Sequence, residues 1–259
     1  MRAFTKLSCL IICLALLFGT LTSCDVINGL LNNQGAKADP DKYTASVRIA
    51  FATNDDKMKA AVDAMSSSAV IMSDGSNLYV NTIAQTGGAS VENTYTLVDG
   101  MLFHALSISS GEITAMQKER SFADEFALED ILNKAGAASG IDSSDFETVD
   151  SYTEGGLDVS SCSGATDEIK NDIEKLLSPR FAALGAEVKV EDVYLTLEMD
   201  GELIVSSVLS VSFKINMDGK VYEITMRTYT DYDYTAEVEI STPDDFGSYE
   251  DVSYGDIIG

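Results

Sequence analysis

The stretch from Val193 to Thr230 holds three consecutive runs of alternating apolar and polar residues, and it constrains the fold more than any other part of the chain. Alternation with a period of two is typical of β-strands that bury one face and expose the other. The apolar positions of the middle run are Leu203, Val205, Leu209, Val211, Phe213, Ile215 and Met217. The stretch therefore predicts an antiparallel meander with one strongly apolar face.

The second turn of this meander, Asp218-Gly219, sets the register of the last two strands. Both central residues of a two-residue hairpin loop need positive φ, and an Asp-Gly pair suits that requirement. Such a loop places Phe213 opposite Ile224. The same register places Ile215 opposite Tyr222, so the apolar faces of the two strands coincide.

The first turn, at Asp200-Gly201, admits two loops. A two-residue loop places Leu197 opposite Ile204, on the face away from Phe213. A three-residue loop, with Gly201 left-handed and bulged, places Leu197 opposite Leu203 instead. The hydrophobic pattern favours the three-residue loop.

Similar patterns predict the other elements of the domain. Strands are predicted at 43–51, 69–73, 77–85, 93–98, 101–109, 113–118 and 146–153, and helices at 55–65, 122–135 and 167–184. Pro179 should kink or break the last helix near Ser178. The remainder of 136–166 is predicted as loop, with Cys162 in it. Together these elements predict an α+β fold, a curved antiparallel sheet of about eight to eleven strands with a few helices on one face.

The amino terminus has the pattern of a signal peptide. Arg2 and Lys6 precede an apolar run from Leu7 to Phe18, which is short for a membrane-spanning helix. The run ends in Leu21-Thr22-Ser23-Cys24, which resembles a bacterial lipobox. The resemblance implies cleavage after Ser23 and lipid attachment at Cys24. Residues 1–23 would then be the signal peptide and 24–42 a lipidated flexible tether.

The composition narrows the classes of partner. The formal net charge is −25, which repels nucleic acid and anionic lipid headgroups, so we expect no nucleic-acid partner. The chain has no glycine-rich phosphate loop, no nucleophile elbow and no zinc-ligand spacing. We therefore expect no enzyme activity, no metal and no cofactor, and we expect a monomer.

Two residues have side chains that could be catalytic or reactive. His104 is the one histidine of the chain, and the hairpin around Asp99-Gly100 places it opposite Tyr95. Without a partner specified by spacing, we interpret it as a half-buried histidine satisfied by the tyrosine hydroxyl or the backbone. Cys162 has no basic residue near it in sequence, so nothing indicates a reactive thiolate.

The segment from Thr228 to Phe246, TYTDYDYTAEVEISTPDDF, resembles the carboxy-terminal end of lipoproteins with the LolA-like half-barrel fold. Mycobacterial lipid-binding lipoproteins and many uncharacterised clostridial ones belong to that group. The resemblance implies a curved sheet half-closed around helices on its concave face, with an apolar cavity for acyl chains and no catalytic group. It assigns 43–246 to this domain and leaves 247–259 as an acidic tail, which we expect to be loosely held.

These expectations combine into one function and one alternative. The function is an extracytoplasmic lipoprotein, anchored on the outer face of the bacterial cytoplasmic membrane, that binds an apolar ligand, a lipid. Its expected cavity lining is Phe213, Ile215, Tyr222 and Ile224 on the sheet with Met58 and Met65 on the first helix. The alternative is a cell-envelope scaffold, or an extracellular sensing or interaction module, in which the helices pack flush and leave no cavity.

Overall fold

Twelve strands form one large, curved, unclosed sheet in this protein. The computed structural model describes residues 42–86, 88–123, 131, 145–182, 185–201, 203–217 and 219–258. Three α-helices and one 3-10 turn accompany the sheet within these ranges. The expected α+β class and the antiparallel order are confirmed, with one strand more than the upper bound predicted from the sequence.

The strands follow each other along the chain with few interruptions. They are β1 (Tyr43–Thr53), β2 (Ser67–Ser73), β3 (Leu78–Thr86), β4 (Ala89–Val98), β5 (Met101–Ser110), β6 (Ile113–Phe122), β7 (Phe146–Glu154), β8 (Leu157–Ala165), β9 (Glu187–Asp200), β10 (Leu203–Met217), β11 (Lys220–Asp233) and β12 (Glu250–Asp251). The helices are α1 (Asp56–Asp63), α2 (Asp167–Ala182) and α3 (Tyr254–Ile258).

The sheet consists of two meanders joined through the first strand. Its order is β12-β6-β5-β4-β3-β2-β1-β11-β10-β9-β8-β7, so β1 lies between β2 and β11. All pairs are antiparallel except the two-residue β12, which runs parallel to β6 at one edge. Strand β1 thereby joins the first meander to the last strand of the second, with Val47 opposite Thr230.

Short glycine turns set the registers, as the sequence predicts. Val98 pairs with Met101 across a turn in which Asp99 has φ +50° and Gly100 has φ +76°. Met217 pairs with Lys220 across the later turn. The predicted pairings of Phe213 with Ile224 and of Ile215 with Tyr222 are confirmed.

The three-residue loop that we expected between β9 and β10 is wrong. Asp200 pairs with Leu203, which leaves a two-residue turn, and Gly201 does have positive φ (+62°). The bulge lies further along, between Ile204 and Ser206, so Leu197 faces Ser207. The bulge lets the side chain of Ile204 enter the core, although the buried residues of β10 from Ser207 onwards are the odd-numbered ones.

One face of the sheet carries the core, and we call it the buried face. On β1 it holds Ala45, Val47, Ile49 and Phe51, each at most 5% exposed. The opposite side of the sheet is the outer face. Val62 and Met65 around α1 belong to the core, as do Ile169, Ile173, Leu177 and Phe181 of α2. Both helices therefore pack through an apolar stripe.

Two helix predictions are wrong in detail. Helix α2 runs without interruption through Pro179 to Ala182, and Ser178 Oγ donates a hydrogen bond of 2.6 Å to the Glu174 carbonyl. The helix predicted from Phe122 does not begin there, because β6 continues through that residue. The rest of that prediction lies outside the described residues, apart from Ile131, which is helical and fully buried.

The expected loop around Cys162 is instead part of a strand. Strand β8 pairs with both β7 and β9, and Cys162 faces Leu195 across the second pair. The thiol side chain is 2% exposed, and burial raises its pKa. A thiol held protonated in this way is a poor nucleophile, which agrees with the absence of any sequence signal for a reactive thiolate.

The acidic tail is not loosely held, contrary to our expectation. Residues 234–251, here called the strap, lead to the free edge of β6. Lys118 pairs with Asp245, Arg120 pairs with Asp251 at 2.7 Å, and the Tyr249 ring packs edge-on against Phe103. Past the strap, helix α3 buries Ile257 to 4% exposure in the core.

Candidate functional site: the buried face of the sheet

The predicted cavity wall lies on the buried face of β10 and β11. Phe213, Ile215 and Ile224 are at most 2% exposed, and Tyr222 is half-buried against them. Because the register pairs them two by two, their side chains form one continuous apolar surface. The four sheet residues that were predicted to line a cavity thus lie next to each other.

Helix α2 covers part of this wall. The rings of Phe181 and Phe213 meet edge to face with centroids 5.6 Å apart, a favourable aromatic geometry. The Lys189 ammonium pairs with Glu174 at 2.7 Å, and the same carboxylate accepts the Val190 backbone N–H at 2.9 Å. The helix is therefore fastened to β9 beside the wall as well as packed on it.

The two predicted methionines sit at the first helix, next to β1. Asp55 caps the helix by accepting the Met58 backbone N–H at 3.2 Å, as expected for an N-cap aspartate. Met65 is 6% exposed and belongs to the core cluster, whereas Met58 is partly buried against it. Both methionines and the four wall residues therefore share one core.

Between these apolar regions the buried face carries a row of small and hydroxyl-bearing side chains. The strand registers align Thr82, Ala69, Val47, Thr230 and Ser207 across five neighbouring strands. Thr82, Thr230 and Ser207 are each at most 3% exposed, although their side chains are polar. We call this set the hydroxyl row.

Two threonine hydroxyls, one in the hydroxyl row and one beside it, have no hydrogen-bond partner in the part of the chain that the structure describes. They are the Oγ1 atoms of Thr230 and of its strand neighbour Thr228, which is 2% exposed. A buried hydroxyl without a partner costs about 1–3 kcal/mol. Such groups in a native fold require an explanation, and a bound polar group is one.

Our sequence reasoning missed these threonines, although a usable signal was present. The register that pairs Met217 with Lys220 continues to Ser207 opposite Thr230, and alternation from Ile224 places Thr228 and Thr230 on the same face. The polar residues at buried positions of the same alternation were the more informative ones.

A second polar cluster surrounds His104 at the other end of the sheet. Its ring stacks on Tyr95 with centroids 4.5 Å apart, Nε2 lies 3.4 Å from Asn93 Oδ1, and Nδ1 lies 3.7 Å from Glu119 Oε2. Of the two expected partners, the tyrosine hydroxyl or the backbone, the first is wrong, since the tyrosine offers its ring face. Burial, followed by the charge of Glu119, raises the pKa of Tyr95 to about 12.

Glu119 is the residue that the sequence analysis did not connect to His104. Ser110 pairs with Ile113 across a two-residue turn at Gly111, and the same register places Glu119 opposite His104. A glycine turn there could have predicted the pairing. The arrangement holds an imidazole beside a carboxylate on the buried face.

The remaining predictions concern the amino-terminal segment, metal binding and membrane-spanning helices. Ser23, Cys24 and the tether up to Asp41 lie outside the described residues. Across the described ranges, no three His, Cys, Asp or Glu residues come together as a metal site. Nor does any described helix have the length and apolar character needed to cross a bilayer.

Comparison with known proteins identifies no relative by sequence. No family model matches the chain, and no curated protein matches it. Among solved structures, the ywiB protein from Bacillus subtilis matches at 7% identity with a TM-score of 0.19, covering 74% of this chain and 91% of that chain. An inactive mutant of the CurJ dehydratase in complex with a compound matches at 8% identity with a TM-score of 0.14, covering 82% of each chain. At these TM-scores neither structure indicates what this chain does.

Proposed function

We propose that this chain is a lipoprotein, anchored on the outer face of the bacterial cytoplasmic membrane, that binds a lipid between the buried face of its sheet and helices on the concave side. In this proposal the apolar wall and the methionines contact acyl chains. The hydroxyl row contacts the polar part of the same lipid. No covalent step is involved.

The observation that carries the proposal is the pair of unpartnered hydroxyls of Thr228 and Thr230 within a largely apolar face. A domain that only needed a solid core would place valine there, at no loss of shape and without the cost of a buried hydroxyl. A ligand that carries an ester or headgroup oxygen would supply the missing hydrogen bonds. The surrounding apolar surface would accept its acyl chains.

The energetics of such a complex are adequate without any strong polar contact. Each CH₂ group removed from water contributes about 0.8 kcal/mol, so a chain of roughly a dozen contributes about 10 kcal/mol before ordering costs. The hydroxyls would then select the polar group rather than supply the affinity. This division of roles is common in apolar ligand sites.

Native mass spectrometry of the chain from Asp25 to Gly259, isolated from cells with their membranes, tests the proposal. We expect masses that correspond to retained lipid, and we expect Thr228→Val with Thr230→Val to retain less of it. Thr225→Val, on the outer face of the same strand, is the matched control and should retain as much as the unmodified chain. Protein that stays empty across several lipid pools would contradict the proposal.

The alternative, a solid scaffold or sensing module, is favoured by one observation. Helix α2 packs closely on the wall, with Phe181 against Phe213 and both rings at most 1% exposed. If the whole buried face is covered in this way, no acyl chain can enter. Empty protein together with unchanged behaviour of the threonine variants would leave this alternative in place.

A further inference from the structure

A groove of about 400 Å³ lies on the outer face of the sheet, on the side opposite to the proposed lipid site. It crosses β2, β1, β11 and β10, and the strand registers arrange its side chains in two rows. The first row is Val70, Ser46, Asp231 and Ser206, and the second is Ser68, Arg48, Tyr229 and Val208. Four strands spaced about 4.8 Å apart therefore present eight side chains to one small space.

The positive charge of the groove is Arg48, at the second row. Its guanidinium lies over the Tyr229 ring, 4.5 Å from the centroid, which holds it in place through a cation–π interaction. The residue is exposed, and within the described ranges it makes no ion pair. Lys118 and Arg120, by contrast, each bind a carboxylate.

The negative charge of the groove is Asp231, at the first row. It faces Ser46 on one side and Ser206 on the other, and it is exposed. Residues offset by two positions across a strand pair lie about 7–8 Å apart, and this is the relation between Asp231 and Arg48. No lysine or arginine of the described chain lies within ion-pair distance of this aspartate.

We propose that this outer groove binds a small zwitterion, with the acidic group of the ligand at Arg48 and its ammonium group at Asp231. A planar guanidinium fixed by an aromatic ring can hold a carboxylate or phosphate by two hydrogen bonds. The ammonium group then lies one row away, where it donates hydrogen bonds to Asp231 and to the serine hydroxyls. Val70 and Val208 provide apolar contacts at the two ends of the groove.

Simpler ligands fit the groove less well. A plain anion at Arg48 meets the nearby Asp231 and the overall negative charge of the protein. A plain cation at Asp231 meets the guanidinium. A molecule with both charges, separated by a few atoms, satisfies each group and is not repelled by the net charge. Amino acids have this chemistry, and so does the phosphoethanolamine headgroup of a lipid.

The test is a titration of the full-length chain, held in a non-ionic detergent, with glycine, L-glutamine and O-phosphoethanolamine, followed by calorimetry or NMR. We expect at least one zwitterion to bind with a Kd of about 1 mM or tighter. Acetate and ethylamine, which each carry one of the two charges, should bind at least 10-fold more weakly. Arg48→Gln and Asp231→Asn should each reduce the affinity for the zwitterion at least 10-fold.

Arg227→Gln is the matched control, because Arg227 is exposed on the outer face of the same strand as Tyr229 but does not line the groove. It should leave the affinity unchanged. Vesicles of phosphatidylethanolamine and of phosphatidylglycerol distinguish the two sources, since only the former offers an ammonium group. The lipoprotein anchor is present in every arm, so its effect cancels between variants.

Three results would overturn this inference. The first is the absence of binding by all three zwitterions and by phosphatidylethanolamine vesicles. The second is binding of acetate as tight as that of glycine. The third is an equal loss of affinity in Arg227→Gln and Arg48→Gln, which would indicate a general charge effect. None of these results bears on the lipid site at the buried face, which the threonine variants test separately.

Discussion

At the scale of single residues, the most informative atoms are hydroxyls rather than the bulky apolar groups. Thr230 is fully buried between Val47 and Ser207, and its Oγ1 has no partner in the described chain. We predict that Thr230→Val raises the free energy of unfolding of lipid-free protein by about 1 kcal/mol, because the change removes an unpaired polar group and keeps the shape. Urea denaturation measures the change.

Val47→Thr, the reverse change at the neighbouring position of the hydroxyl row, is the control for this prediction. It should lower the free energy of unfolding by about 1–3 kcal/mol, since it adds a buried hydroxyl without a designed partner. If Thr230→Val instead destabilises the protein to the same degree, then its hydroxyl has a partner that the static structure does not show.

Tyr95 provides a residue-scale prediction about pH. Its pKa is raised from 10.0 to about 12, so above pH 10 the unfolded chain releases a proton that the folded chain keeps. The folded state should therefore lose up to about 3 kcal/mol as the pH rises from about 10 to about 12, whereas below pH 10 this contribution is fully present. Urea denaturation across this pH range measures the loss.

Tyr95→Phe separates this residue from the other tyrosines. The variant keeps the ring that stacks on His104 and removes the ionisable hydroxyl. Its stability should fall less steeply at alkaline pH than that of the unmodified chain. Parallel curves for the two proteins would show that Tyr95 ionises as an ordinary exposed tyrosine does.

At the scale of elements, turn chemistry made most hairpins predictable. Asp99-Gly100 and the turn before Lys220 gave correct registers, because an Asp-Gly pair suits the positive φ values of a two-residue hairpin turn. The bulge after Ile204 was not predictable from the pattern, since two registers bury a similar number of apolar residues. Strand β8 was missed because its sequence, Leu157–Ala165, is rich in serine and has few bulky apolar residues. It is ordered by its pairing with β7 and β9.

The candidate site was predictable to a similar extent. Alternation identified the wall residues, because bulky apolar side chains recur on one face. It could not say whether α2 would cover them, since the contact of Phe181 with Phe213 depends on how the helix docks on the sheet, which strand alternation does not encode. The outer groove was also beyond sequence reasoning, because Arg48 and Asp231 come from strands at opposite ends of the chain.

The strap is the element whose attachment can be tested directly. Ion pairing lowers the pKa of Asp245 and of Asp251, and both carboxylates bind cations of β6. We predict that Lys118→Glu with Arg120→Glu lowers amide protection of the strap about 10-fold or more by hydrogen exchange, since attraction becomes repulsion. In the unmodified chain the attachment should be present above pH 3.8 and be lost as the pH falls through the lowered pKa values.

Lys214→Glu is the control for the strap experiment, because it breaks the pair with Glu191 elsewhere on the outer face. It should leave the protection of the strap unchanged. Added salt should weaken the attachment in the unmodified chain as well, since these pairs are at the surface. Protection that resists both salt and charge reversal would mean that Tyr249 and the backbone pairing of β12 hold the strap alone.

At the scale of the whole molecule, the prediction concerns where the protein resides. One acyl chain binds a bilayer only marginally, so stable anchoring through Cys24 requires the two or more chains of a lipoprotein. Cys24→Ala should shift the protein from the membrane fraction to the soluble fraction and remove the lipid mass. Cys162→Ala is the control and should stay with the membrane, and a Cys24→Ala protein that remains membrane-bound at full lipid mass would refute the lipobox interpretation.

The central position of β1 has a consequence for how the chain is made. Its partner β11 is synthesised only after nearly the whole domain, so one side of the first strand stays unpaired until the rest of the chain has been made. Pairing of such distant segments closes late and slowly during folding. A product that terminates before β11 retains β1 with an open edge, and open edges recruit strands from other chains. Truncated forms of this protein should therefore form intermolecular aggregates. In the complete chain, β11 pairs with the open edge of β1 and prevents them.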